Sequence, residues 1–152
     1  LDVLLQLFTK KPFQNRSLEI SSIDFPTTYG KIRFNIWVSL GEQQPDDLPE
    51  QFYSQPHCTI VMLHVTTQMS YKNIPLWHQN NVNADPHTPT VLVANKLYLA
   101  AHIIVKMKHI TYHRKRNLRF FEVSSIANYN WEKPFLALLQ TLVNDNELVL
   151  TR

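Results

Sequence analysis

Apolar and β-branched residues are concentrated in short runs, at Leu18–Phe25, Lys31–Val38, Thr59–Val65, Thr90–Leu97 and Leu118–Ser124. Runs of this length, bounded by polar, proline or glycine positions, read as strands. In FNIWVSLGEQ, residues 34–43, Phe34, Ile36 and Val38 alternate with Asn35 and Trp37 before the chain reaches Gly41. That period of two belongs to a strand with one buried face. The first two runs are joined by FPTTYGK, in which Gly30 supplies the turn, so they are expected to form an antiparallel hairpin.

Helical patterns lie between the later strands. Ser70 to Asn80 opens on a capping serine, with Pro75 its awkward member, because proline is tolerated only in the first helical turn. Glu132 to Val143 is the best helix: Pro134 sits near its start, and Phe135, Leu138, Leu139 and Leu142 mark one apolar face. Strands alternating with helices imply an α/β fold, with a mostly parallel sheet covered on both faces.

The chain of 152 residues suits one domain, large enough for a core that needs neither disulfides nor metal. A hydrophobic share of 44% and a charged share of 18% are ordinary for a globular protein. No apolar run approaches the roughly 20 residues of a membrane span. LDVLLQLF at the start carries Asp2, has no basic flank and lacks a small-residue cleavage site, so it does not read as a signal peptide. Cys58 is the single cysteine, which fits a reducing compartment.

Net charge is +3. Its distribution says more, because Lys106, Lys108, Arg114, Lys115, Arg116 and Arg119 fall within residues 106–119. Such a patch suits nucleic acid, an acidic protein surface, or solvent alone. The neighbouring Tyr112, Phe120 and Phe121 lie at the edge of an apolar strand and read as core rather than as stacking platforms for bases. Nucleic acid is therefore not the expected partner.

In open α/β sheets, ligands bind beyond the carboxyl ends of the strands. Those ends read Val38-Ser39-Leu40-Gly41-Glu42-Gln43, Ala94-Asn95-Lys96-Leu97-Tyr98 and Val123-Ser124-Ser125-Ile126. Together with KIRFNIW, YKNIPLWH, VLVANK, HRKRNLRFFEVSS and NYNWEKPFLALL, they resemble the Ran branch of the Ras-like small GTPases, in order and over nearly the whole chain. The resemblance is weakest in residues 1–30. It implies a Ras-like G domain of the P-loop-NTPase type, with GTP or GDP and Mg²⁺ as ligands and a role in nucleocytoplasmic transport. It also implies importin-β-type transport receptors as partners, a monomer, and a place in nucleus and cytoplasm.

The departures from the family are as informative. No G-x-x-x-x-G-K-[ST] occurs, so the chain lacks the phosphate cradle and its lysine. Val38 stands where the resemblance places a Mg²⁺-associated aspartate, and Glu42 where it places the water-orienting glutamine. Tyr98 replaces the carboxylate that reads guanine. Gly41, Asn95, Lys96, Ser124 and Ser125 are expected to be a vestigial nucleotide site, with no catalytic residue and no metal ligand. Leu1 to Phe13 resembles the end of the helix after the phosphate loop and the start of switch I. The family's first strand is therefore expected to be missing from an N-terminally truncated single domain, and its place filled by upstream chain, by re-pairing, or by a partner. The basic positions Lys106, Lys108, Arg114, Lys115 and Arg116 match those through which Ran proteins meet transport receptors.

Other residues carry less. His109 and His113 have helical metal-pair spacing, but Ile110, Thr111 and Tyr112 favour strand or loop and no third ligand is evident. His64 reads as a core-edge histidine. His57 and Cys58, adjacent in a strand, point to opposite faces and cannot act together. The functional readings are a Ran-type switch with GTP chemistry lost or severely impaired, a nucleotide-independent binding protein using the basic patch, and a decayed gene copy.

Overall fold

The computed structural model describes residues 2–8, 18–39, 56–64, 74, 75, 78, 79, 87–95, 112, 114, 118–124 and 129–151. They contain β1 (Asp2–Phe8), β2 (Leu18–Thr27), β3 (Gly30–Ser39), β4 (Cys58–His64), β5 (Thr90–Asn95), β6 (Arg119–Val123) and α1 (Glu132–Val143). The strands form one sheet in the order β2-β3-β1-β4-β5-β6. Only the β2–β3 pair is antiparallel; β1 with β3 and β4, β4 with β5, and β5 with β6 all run parallel.

The expected hairpin is present. Gly30 has a φ of 90°, a conformation open to glycine and strained for side chains with a Cβ. The Thr27 hydroxyl donates to the Gly30 carbonyl at 2.7 Å and accepts from the Tyr29 N–H at 3.0 Å, so the turn satisfies its own polar groups.

The first strand is not missing. Residues 2–8 run through the middle of the sheet, pairing with Arg33–Ser39 on one side and Cys58–Val61 on the other. The expectation of a helix remnant there is corrected, and with it the need for a donated strand. The physical reason is that a central sheet position demands backbone donors and acceptors on both sides. The near-continuous apolar run Val3-Leu4-Leu5 with Leu7 and Phe8 is the composition that a strand flanked by two parallel neighbours requires.

One core cluster lies between the sheet and α1, while Val61, Leu63 and Leu92, of the opposite strand parity, are buried as well. Ile32, Phe34, Ile36 and Val38 alternate inward along β3 and join Cys58, Ile60, Val91, Val93, Val123, Leu138 and Leu139. Four aromatics lock the hairpin to the helix: Phe34 meets Phe25 at 5.6 Å and Phe135 at 5.1 Å, both edge to face, and Trp131 lies 5.8 Å from Phe25. Pro134 falls in the first turn of α1 and is buried. The helix ends at Asn144, whose φ of 54° is left-handed, and the Asp145 N–H closes on the Gln140 carbonyl at 3.0 Å.

Beyond α1 the chain returns to the hairpin. Thr28 N–H donates to the Val149 carbonyl at 3.2 Å, and Thr151 N–H to the Pro26 carbonyl at 2.8 Å. Tyr29 Oη donates to Asp145 at 2.6 Å.

Candidate functional site

The carboxyl ends of the parallel strands make a step. Phe8 stands opposite Ser39 and Val61, whereas His64, Asn95 and Val123 are level with one another. The strands β4, β5 and β6 thus reach three residues past the end of β1, about 10 Å at 3.3 Å per residue.

On the high side of the step, Asn95 ends β5 and is 6% exposed. Its parity with Val91 and Val93 puts it on the α1 face, and its amide lies 3.8 Å from Met62 Sδ. Ser124 follows Val123, Asn95's partner on β6, so the expected residues Asn95 and Ser124 do come together at neighbouring strand ends. Ser124 and Tyr129 form a reciprocal backbone pair, Ser124 N–H to Tyr129 carbonyl at 3.0 Å and Tyr129 N–H to Ser124 carbonyl at 2.9 Å. Asn130, left-handed at a φ of 63°, donates from its amide to the Glu122 carbonyl at 2.9 Å. Gly41, Lys96 and Ser125 lie outside the described residues, as do Glu42 and Tyr98.

Val38, at the position expected to serve a metal, is 7% exposed and packs in the main core, so the site offers an aliphatic wall where a divalent cation needs oxygen. Among the described residues, no cluster of three His, Cys, Asp or Glu side chains could hold a metal ion. The sequence joining β1 to β2, TKKPFQNRS at residues 9–17, contains no glycine.

Cys58 is fully buried at the start of β4, and burial pushes its thiol up to about 12, which removes thiolate chemistry at neutral pH. His57 beside it is exposed, in keeping with opposite orientations. Among the described residues no helix is long and apolar enough to cross a membrane.

Of the five basic positions expected to meet a partner, Arg114 is described: it is exposed and its backbone is helical. Lys106, Lys108, Lys115 and Arg116 lie outside the described residues, as do His109 and His113. Tyr112 is helical too and not strand or loop, which corrects the expectation for that residue. Its hydroxyl lies 2.7 Å from Nδ1 of His78, with the rings edge to face at 5.5 Å. Sequence reasoning missed this pair because the two residues stand 34 positions apart, and no local pattern announces such a contact.

A model of the Ras family matches residues 3–144, nearly the whole chain and every strand described above.

Proposed function

The chain belongs to the Ras family of small GTPases, and from that premise we propose that it is a Ran-type member whose GTP binding and hydrolysis are lost or severely impaired. Ras-family G domains use GTP or GDP with Mg²⁺. In this chain the residues that would hold the phosphates and the metal do not fit them.

One observation carries the reading. A phosphate loop belongs between the first strand and the helix that follows it, but here β1 ends at Phe8 and β2 begins at Leu18. The intervening residues 9–17 have no glycine and are too few for an eight-residue G-x-x-x-x-G-K-[ST] loop and a helix of ordinary length, about 11 residues. The departure lies inside the chain, after a strand that is present. Val38, buried among apolar side chains, removes an oxygen ligand from the same end of the sheet.

What remains is a scaffold that displays a basic segment. We assign it nucleotide-independent binding of importin-β-type transport receptors through Lys106, Lys108, Arg114, Lys115 and Arg116, as a monomer in nucleus and cytoplasm. The exposure of Arg114 and the clustering of the others in sequence support it.

The test is chromatography of whatever is released when the purified, folded chain is heat-denatured. The expected result is no guanine nucleotide, with receptor binding that persists in EDTA and weakens steeply with salt. Stoichiometric GDP or GTP, or binding that requires GTP and Mg²⁺, overturns the proposal in favour of a working switch.

A further inference from the structure

We propose that His78 and Tyr112 are positioning residues for Arg114; this rests on the receptor-binding reading above. His78 is 7% and Tyr112 9% exposed. The Tyr112 hydroxyl and His78 Nδ1 are 2.7 Å apart, and with the imidazole neutral and its proton on Nε2 the hydroxyl donates. Edge-to-face packing of the rings, at 88°, adds an attraction of its own.

Arg114 follows Tyr112 by two residues, and both have helical backbone. The Tyr112 ring is buried while Arg114, two residues on, is exposed, an orientation that keeps the ring in and the guanidinium out. The bond to His78 ties this orientation to a separate stretch of chain, in which Ile74, Pro75 and Gln79 are also helical and Ile74 is buried. A phenylalanine at 112 would fill the same space without that tie. The partner is an acidic polypeptide surface, since the displayed charge is a guanidinium beside Lys115 and Arg116 in sequence.

The experiment measures binding of poly-L-glutamate at low salt, together with amide hydrogen exchange, in the full chain and in Tyr112→Phe, His78→Leu, His78→Asn and Arg114→Ala. The chain is expected to bind. Tyr112→Phe and His78→Leu should weaken binding about fivefold or more and speed exchange in peptides holding residues 112–114, with β4 and β5 protection unchanged. His78→Asn, which keeps a polar atom near Nδ1, should restore most of the affinity, and Tyr112→Phe should add no loss to Arg114→Ala. Tyr112→Phe binding and exchanging like the parent overturns the positioning role alone. Exchange faster throughout the sheet, or losses that simply add, makes the pair ordinary core packing and overturns it too. A parent chain that does not bind poly-L-glutamate overturns the receptor-binding reading and this inference with it.

Discussion

Phe8 at the end of β1 and Leu18 at the start of β2 both stand opposite Ser39 of β3. They are thus two strands apart at the same level of the sheet, about 10 Å at ordinary strand spacing. Residues 9–17 have only that gap to bridge. The same two strands delimit the space in which a family member would build its phosphate cradle and the following helix. The loss of nucleotide chemistry proposed above is in this sense a matter of chain length as much as of side chains.

Val38 sets the first prediction. Restoring a carboxylate there with Val38→Asp would bury an unpaired charge among Phe34, Ile36 and Ile60 of the same core. The expected cost is ~3–5 kcal/mol of stability. Urea denaturation with and without Mg²⁺ and GDP checks it. Equal loss in both is expected, and rescue by Mg²⁺ with GDP would show that a metal site survives.

A second prediction concerns pH. The Arg33 guanidinium, which approaches Asp24 at 2.7 Å, holds its carboxyl down from 3.8 to about 2 despite opposing desolvation, with help from Lys31 at 3.2 Å. Because the folded value is depressed, the stabilisation is present above the ordinary 3.8 and is lost as pH falls through 3.8 toward about 2. The contribution is small, since the groups are exposed. In Arg33→Ala, NMR titration of the Asp24 carboxyl should move its pKa upward; an unchanged value would remove Arg33 as the cause.

Asn144 gives a third. Its left-handed backbone, with a φ of 54°, lets the Asp145 N–H reach the Gln140 carbonyl. Asn144→Ala should lose ~1 kcal/mol, because alanine keeps the Cβ strain of that conformation without the short polar side chain that lets asparagine tolerate it, whereas Asn144→Gly removes the strain and should be neutral or slightly stabilising. Thermal denaturation of the two variants separates backbone strain from loss of the side chain.

Cys58 supplies the fourth. With no exposure and a thiol pushed up to about 12 by burial, it should resist iodoacetamide at pH 8 in the folded protein and react promptly in urea. Rapid alkylation under native conditions would mean that the start of β4 opens readily.

Much of the fold was legible in the sequence for local reasons. β3 announced itself through the alternation of Phe34, Ile36 and Val38, the hairpin through Gly30, and α1 through Pro134 and its apolar face, because each signal lies within one element. Of the candidate site residues, the placement of Asn95 and Ser124 at adjacent strand ends was legible, because each follows directly on an apolar run of strand length. Residues 2–8 were misread because a short, nearly continuous apolar run suits a helix end and a buried strand equally well.

By itself, then, the sequence determined the alternation of strands and helices, the antiparallel turn at Gly30, the absence of a glycine-rich phosphate loop, and the aliphatic character of Val38. Tertiary structure alone decided that residues 2–8 fill the centre of the sheet, that Tyr29 reaches Asp145, and that His78 meets Tyr112. The reason is physical: propensity and periodicity act over a few residues. The position of a strand in a sheet and the partner of a buried hydroxyl are set instead by which distant groups can satisfy one another's hydrogen bonds once the apolar faces have closed.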